Sequence, residues 1–306
     1  MTDLRAYLDR VPLLRSGDVI VGDRLGGLTN VNHLIEHDGH RYVLRVPGAG
    51  TGEYINRAHE QVAALASAAV GVNAPVLFFD PNDGLMVTAY LDDAVTMDAQ
   101  RFSDLDAVAR AGQVLRRLHT RSVPFASKFD LFSMIDEYKQ LLATKGAVLP
   151  DGYSELERLA DATRRALEAN PRPLVPSHCD PLCANFLDLG NRMYLIDYEY
   201  AGNHDPMWDL ADLSVEGGFN VDQDQALLRA YFEAEPHPAE VGRMVAYKAM
   251  CDLLWTLWGV IQHVNGNAAE DFWAYSHGRF ERCRELMGTA DYAGHLAAIA
   301  GGANRV

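Results

Sequence analysis

The segment from Ser177 to Asp212 decides how the rest of the chain is interpreted. Its sequence is S-H-C-D-P-L-C-A-N-F-L-D-L-G-N-R-M-Y-L-I-D-Y-E-Y-A-G-N-H-D-P-M-W-D-L-A-D. Asp180 is followed five residues later by Asn185, and a strand-like run at 193–196 leads into Asp197. Phosphoryl transfer uses these residue types, because an Asp can accept a hydroxyl proton while an Asn and a second Asp hold the metal on the phosphates. We predict Asp180, Asn185 and Asp197 as catalytic, with the last two as Mg²⁺ ligands.

The pattern H-x-D-x-x-x-x-N followed by I-D-Y resembles the catalytic loop and the metal-binding Asp of protein kinases. Together with further motifs it resembles the choline/ethanolamine kinase branch of the aminoglycoside phosphotransferase superfamily. Those motifs are H-C-D-P-L-C-A-N-F, L-I-D-Y-E-Y-A-G, D-P-M-W-D-L-A-D, Y-V-L-R-V-P-G at Tyr42–Gly48 and W-T-L-W at Trp255–Trp258. The resemblance spans nearly the whole chain and implies ATP and Mg²⁺ as cofactors. The alternative, a structural turn with solvated carboxylates, does not explain the order of the three residues around a hydrophobic strand.

The resemblance implies an α+β fold of the protein-kinase-like, bilobal kind, and the local patterns agree with it. Strand-like runs at 18–24, 31–36, 41–46, 76–79 and 85–89 predict a small antiparallel sheet, with a helix over 53–69. The remainder is mainly helical, and the hinge between lobes is expected at Thr88–Asp93. We predict an N-terminal nucleotide-binding lobe over 1–92 and a C-terminal catalytic and substrate-binding lobe over 93–306.

The nucleotide site is predicted from the first lobe. The run G-G-L-T-N would lay backbone N–H groups over the phosphates, with hairpin punctuation as the alternative; its predicted contacts are Gly27, Thr29 and Asn30. Arg45 stands where protein kinases place a lysine, and a guanidinium can bind phosphate oxygens in a forked geometry. Glu60 is the predicted partner of Arg45, with Glu53 competing. Tyr90 is the predicted nucleotide contact at the hinge, where backbone groups would hold adenine.

The acceptor pocket is predicted from aromatic residues that, in the choline branch, wall the choline site. Trp255 and Trp258 lie three apart on an apolar helix, and Tyr275 follows in Y-S-H-G-R-F, which resembles that branch's Y-x-x-x-R-F. A quaternary ammonium has no N–H to donate, so aromatic faces suit it. Glu216 matches an acidic position of the branch, and Asp252 is a second candidate. The alternative is a tryptophan pair in the core.

Other polar residues near the loop are predicted to be structural. His178 should hydrogen-bond the loop, and Asp209 should brace it. Glu199 would face the same side as Asp197 if the strand continues. Asp205 reads as a cap or loop anchor. Pro181 departs from the branch, which more often has Leu there, and it points to a subfamily with another alcohol substrate.

Composition excludes some partners. The 306 residues carry a net charge of −15, which argues against nucleic acid or an anionic membrane surface and is compatible with a cationic substrate. The start is no signal peptide, and no apolar run is expected to reach membrane-spanning length. Four cysteines do not make a disulfide framework, so we expect buried thiols and a cytoplasmic protein. The oligomeric state stays open, with a homodimer as one candidate.

The predicted function is ATP-dependent phosphorylation of the hydroxyl of a small amino alcohol, choline first and ethanolamine second. Kinases for aminoglycosides or thiamine are the alternatives within the superfamily, although L-C-A-N-F resembles the choline branch more than the H-P-G-N of antibiotic kinases. From other classes, a nucleotide-binding pseudokinase and a non-catalytic quaternary-ammonium binding protein remain. Intact Asp180, Asn185 and Asp197 argue against both.

Overall fold

The structure is a computed structural model that describes residues 4–26, 30–48 and 55–301. Its N-terminal part is a five-stranded antiparallel sheet in the order β1-β2-β3-β5-β4. These strands are β1 (Val19–Leu25), β2 (Val31–His37), β3 (His40–Val46), β4 (Val76–Phe79) and β5 (Met86–Ala89). Asp38 and Gly39 both have positive φ, of 49° and 74°, so this Asp-Gly turn joins β2 to β3 as a tight hairpin.

A short helix precedes the N-terminal sheet, and a longer helix follows its third strand. Helix α1 (Leu4–Leu8) is followed by a 3₁₀ turn at Pro12–Leu14, and proline at 12 has no N–H to continue a helical ladder. Helix α2 (Arg57–Ala69) follows β3, and Asn56 caps it by accepting the His59 N–H.

The C-terminal part is mainly helical, as predicted. Its helices are α3 (Leu105–Arg121), α4 (Leu131–Thr144), α5 (Tyr153–Ala169), α6 (Met207–Glu216), α7 (Val221–Phe232), α8 (Pro238–Val264), α9 (Phe272–Met287) and α10 (Tyr292–Ala300). A capping box of His237 and Glu240 starts α8, with Pro238 at its first position.

Two small sheets lie among these helices and carry the central stretch of the sequence. The first joins β6 (Val95–Thr96), β8 (Phe186–Asp188) and β9 (Met193–Leu195), and the second joins β7 (Val175–Ser177) and β10 (Gly202–His204). The loop between β7 and β8 holds Asp180 and Asn185, and the segment after β9 holds Asp197. The short strands therefore bring residues separated by up to 17 positions into one place.

The described side chains form two hydrophobic cores. The smaller packs Val11 of the N-terminal segment against the sheet through Ile35, Leu44 and Val87. The larger fills the helical part around Trp208, and it also takes in Ala63 and Ala64 of α2. Two cores agree with a bilobal fold. The boundary at residue 92 stays a prediction, since α2 packs onto the larger core.

Helix α8 runs through the larger core. By length and composition it could cross a membrane, but 83% of its most apolar 18-residue window is buried inside the protein. The expectation that no apolar run reaches membrane-spanning length is therefore wrong for α8. Its burial is that of a core helix, which is apolar on all sides because protein surrounds it.

Candidate active site

Asp209 of α6 holds the start of the loop between β7 and β8. Its fully buried carboxylate accepts the backbone N–H groups of His178 (Oδ2, 2.7 Å) and Cys179 (Oδ1, 2.9 Å), and it lies 3.0 Å from His119 Nε2. Cys179 has a positive φ of 68°, which these bonds stabilise. Burial acts to raise the pKa of Asp209, but the bond and charge of His119 and the His178 contacts outweigh it and lower that pKa. The prediction that Asp209 braces the loop with Asp180 is confirmed.

His178 is a structural residue of this loop, as predicted. Its buried ring donates from Nε2 to the Ile196 carbonyl at 2.9 Å and lies 4.9 Å from the Tyr198 ring. Burial lowers the pKa of His178, so the ring stays neutral and carries its proton on Nε2. This bond ties the loop to the segment just before Asp197.

The loop places Asp180 and Asn185 beside that same segment. The Asn185 amide nitrogen donates to the Asp180 carbonyl at 3.1 Å, and the Asn185 carbonyl accepts the Ile196 N–H at 3.0 Å. The amide nitrogen is thus engaged inside the loop, and a metal would take the amide oxygen. Burial raises the pKa of Asp180 well above its usual range, with further contributions from the charges of Glu216, Asp197 and Glu199.

Asp197 lies in a left-handed backbone conformation, with φ of 70°. The strand ends at Leu195, so the condition under which Glu199 would share a strand face with Asp197 is not met. The buried Oδ1 of Asp197 has no hydrogen-bond partner among the described residues and lies 3.5 Å from Arg45 Nη1. Burial raises the pKa of this carboxyl although Arg45 opposes the shift. An unsatisfied carboxylate oxygen near a second oxygen donor, Asn185, fits a hard divalent cation such as Mg²⁺.

Arg45 and Glu60 form the predicted ion pair, and both side chains are nearly fully buried. Arg57 also contacts Glu60 (Nη1–Oε2, 2.7 Å) and lies 3.6 Å from Glu199 Oε2. Sequence reasoning missed Arg57. Its position three residues before Glu60, on one face of α2, was the available signal. A buried chain of charges therefore links β3, α2 and the segment after Asp197.

Gly84 allows the Arg57 side chain to pack directly against the turn that also contacts Arg45. Its φ is 90°, and a Cβ there would lie 2.7 Å from the Arg57 side chain, so only glycine fits without strain. The Gly84 carbonyl accepts a hydrogen bond from Arg45 Nη2 at 3.1 Å. The turn between β4 and β5 thus helps to aim Arg45.

The other predicted nucleotide residues divide into two groups. Gly27 and Thr29 lie outside the described residues, as does Glu53. Asn30 is buried, donates to Glu199 Oε2 at 3.2 Å and accepts the Gly48 N–H at 3.3 Å, so it ties β2 to the charge cluster. Tyr90 follows β5 at the expected hinge. Its N–H donates to the Arg41 carbonyl at 3.1 Å, and the Arg41 guanidinium lies 4.9 Å from its ring centre.

The predicted acceptor aromatics come together. The ring centres of Trp255 and Trp258 are 5.9 Å apart, and Tyr275 lies 5.8 Å from Trp258. Gly259 permits this approach, because a Cβ there would lie 2.4 Å from Ser276 Oγ and 2.7 Å from Tyr275 Cδ1. Tyr200, which sequence reasoning missed, joins the group at 6.4 Å from Trp255. Trp258 and Tyr275 are half-buried, unlike a closed core pair.

The two carboxylates considered for this pocket, Glu216 and Asp252, differ in the number of arginines that they contact. Glu216 Oε1 pairs with Arg279 Nη2 at 2.5 Å. Asp252 faces both Arg279 (3.2 Å) and Arg282 (2.6 Å), so two arginines compensate its charge, and its suggested contact with an acceptor cation stays a prediction. The Arg279 guanidinium also lies 5.0 Å from the Tyr275 ring centre.

Comparison with known proteins agrees with this geometry. The family model described as "Phosphotransferase enzyme family" matches residues 23–242. A solved choline/ethanolamine kinase family protein from Mesorhizobium loti is 50% identical, with 98% of this chain and 99% of that chain covered and a TM-score of 0.90. Choline kinase LicA from Streptococcus pneumoniae is 25% identical over 92% of this chain and 98% of that one, with a TM-score of 0.75.

A relative whose name gives another substrate is also similar to this chain. Thiamine kinase from Shigella boydii is 30% identical over 223 residues, which cover 72% of this chain and 74% of that protein. The family match and the choline/ethanolamine kinase match each extend over both the sheet and the loop with Asp180. The chain belongs to the phosphotransferase enzyme family and, within it, to the choline/ethanolamine kinases.

Proposed function

We propose that the protein transfers the γ-phosphoryl group of ATP to the hydroxyl of a small amino alcohol, choline first and ethanolamine second. One observation carries the proposal. The loop with Asp180 and Asn185 meets Asp197 beside the buried Arg45–Glu60 pair, while Glu216 lies on the other side toward the aromatic group. Such a site has a phosphate side and an acceptor side. The kinase relatives support ATP as the donor and choline as the acceptor.

In the proposed mechanism Asp180 accepts the proton of the acceptor hydroxyl as its oxygen attacks the γ-phosphorus and the bond to ADP breaks. The raised pKa of Asp180 suits a proton acceptor, because a more basic carboxylate takes the proton more readily. Asn185 and Asp197 would hold Mg²⁺, which when bound neutralises charge on the phosphates. Arg45 would contact phosphate oxygens, held in place by Glu60 and the Gly84 carbonyl.

The remaining assignments complete the same site. Gly27, Thr29 and Asn30 would cover the phosphates from the first lobe, and Tyr90 would contact the nucleotide at the hinge. On the acceptor side, Trp255, Trp258 and Tyr275 would face the ammonium group, with Glu216 adding negative charge. A cytoplasmic location and a homodimer stay predictions, which cell fractionation and light scattering would test.

The test is ADP release from Mg·ATP with choline, ethanolamine, thiamine, an aminoglycoside or no acceptor. We expect release that depends on choline or ethanolamine, with phosphocholine or phosphoethanolamine identified by phosphorus NMR. A higher kcat/KM with thiamine would assign instead the function of the thiamine kinase relative. Nucleotide binding without acceptor-dependent release would identify a pseudokinase.

A further inference from the structure

Three carboxylates lie along one face of α6, at Asp209, Asp212 and Glu216. Their spacing of three and four residues puts them on successive turns of one side. Asp209 is used by the loop that carries Asp180, and Glu216 pairs with Arg279 beside Tyr275. Asp212 therefore lies between the hydroxyl end of the site and its aromatic end.

Asp212 is the carboxylate of this row whose charge the described residues leave uncompensated. Its side chain is fully buried, and among the described residues its Oδ1 accepts the weak Cys251 thiol donor alone, at 3.1 Å. Its Oδ2 is buried and has no hydrogen-bond partner among the described residues. Burying an unpaired polar atom costs free energy, so this oxygen is a candidate to contact a bound ligand.

The position of Cys251 connects Asp212 to the aromatic group. Cys251 precedes Trp255 by four residues on α8, so both side chains lie on one face of that helix. Burial raises the pKa of Asp212 well above its usual range, and the negative charges of Glu216 and Asp180 add to the shift, with Arg279 opposing it. The surroundings of Asp212 are thus short of positive charge.

We propose that Asp212 binds the cationic nitrogen of the acceptor and so makes the site selective for alcohols that carry an ammonium group. This inference rests on the proposed function and deepens it. The ammonium would lie between the free oxygen of Asp212 and the aromatic group, with the acceptor hydroxyl directed at Asp180. A primary ammonium donates an N–H hydrogen bond to Asp212, whereas a quaternary ammonium offers only its charge. Glu216, already paired with Arg279, contributes less to this charge recognition.

A neutral analogue separates charge recognition from other effects. The acceptors are choline, ethanolamine and 3,3-dimethylbutan-1-ol, which has the shape of choline without its charge, and kcat/KM is measured at saturating Mg·ATP. In Asp212→Asn we expect kcat/KM to fall by about 10- to 100-fold for choline and ethanolamine, the range for one contact to a charged group. For the neutral alcohol we expect a change below about twofold. The discrimination between charged and neutral acceptors would then collapse.

Glu240→Gln is the matched control. Glu240 is a buried carboxylate in the capping box of α8, and glutamine can serve in the same box, so its acceptor discrimination should equal that of the wild type. Because Asp212 is a buried and uncompensated charge, Asp212→Asn should not lower Tm. If that variant does not fold, Asp212→Ser replaces it, since a hydroxyl can still accept the Cys251 thiol.

Several outcomes would overturn the inference. Equal losses for the charged and neutral alcohols, or unchanged discrimination, would show that Asp212 does not bind the ammonium. Stoichiometric metal bound to wild type but absent from Asp212→Asn would instead assign Asp212, Glu216 and Cys251 as a metal site, since their ligand atoms lie within 4.8 Å of one another. If no acceptor is turned over, the proposed function fails, and calorimetric choline affinity of the wild type and Asp212→Asn then decides the inference alone. Equal or undetectable affinities would overturn it.

Discussion

The phosphate side and the acceptor side of this site differ in how far their buried charges are compensated. On the phosphate side, Arg45 and Arg57 face Glu60 and Glu199, and each of these buried carboxylates lies within 4 Å of an arginine. On the acceptor side, burial raises the pKa of Asp180 and of Asp212, and the negative charge of Glu216 adds to both shifts. Among the described residues, Arg279 is the cation that opposes this effect for Asp180 and Asp212.

From this difference we infer which side of the site has its charges compensated before a ligand binds. Buried ion pairs hold each other in place, so the phosphate side is preformed and its arginines have fixed positions. A group of buried carboxylates is unfavourable until protons or a cation compensate it. This arrangement supports our proposal that the acceptor side receives a positive charge, with Asp197 at the junction between the two sides.

The largest effect is expected at this junction. Asp197→Ala removes the oxygen that would hold Mg²⁺, so turnover should fall below detection and nucleotide affinity should drop when Mg²⁺ is present. Without Mg²⁺ the two proteins should bind the nucleotide more nearly equally. Calorimetry with and without Mg²⁺ measures both. The same ATP affinity in Mg²⁺ for both proteins would remove Asp197 from the metal site.

The next largest effect belongs to the acceptor side. Asp180→Asn keeps the shape of the side chain and removes the proton acceptor, so kcat should fall by about a hundredfold or more. Mg·ATP affinity should change little, because Asp180 does not belong to the arginine cluster. Steady-state kinetics together with nucleotide binding checks this separation. Turnover close to wild type would contradict the role of Asp180.

A smaller effect tests whether the aromatic group is a pocket or part of the core. Trp258→Ala removes one aromatic face, and a desolvated cation–π contact is worth about 2 kcal/mol, so choline KM should rise roughly 30-fold. ATP KM should stay nearly constant, with the fold intact by circular dichroism. An unfolded variant, or equal losses for ATP and choline, would place Trp258 in the core.

The smallest effect is expected on the phosphate side. Arg45→Ala should raise ATP KM by about tenfold, as one hydrogen bond to a charged group is worth about 1.5 kcal/mol. Acceptor KM should change less, and Arg57 still pairs with Glu60. The ratio of the two KM changes is the measurement. A larger rise in acceptor KM than in ATP KM would show that Arg45 does not belong to the nucleotide site. The distinction between the two sides would then not hold for Arg45.

Much of the site could be predicted because it depends on local order along the chain. The loop from His178 to Asn185 and the following β9 keep Asp180, Asn185 and Asp197 within 17 residues, so short-range geometry brings them together. Helix positions with a simple period, such as Trp255 and Trp258, were predicted for the same reason. The Arg45–Glu60 pair was reached through the resemblance to kinases, not through spacing.

Other features depended on contacts that no local pattern encodes. The expectation for Glu199 assumed a continuing strand, whereas Asp197 adopts a positive φ and breaks the alternation. Asp252 looked suitable by its position one turn before Trp255, but α9 brings Arg279 and Arg282 against it. Tyr200 was passed over because nothing in its neighbours shows that it would meet a tryptophan 55 residues away.

The sequence by itself determined the fold class through its resemblance to a kinase family. It determined the order of the catalytic residues and the aromatic helix through spacing and periodicity within one segment. Only the tertiary structure decided which carboxylates are paired. Asp209, Asp212 and Glu216 are equivalent on a helical projection, yet one meets backbone N–H groups, one meets a thiol and one meets an arginine. Charge compensation depends on distances between separate elements, and those distances exist only after the helices have packed.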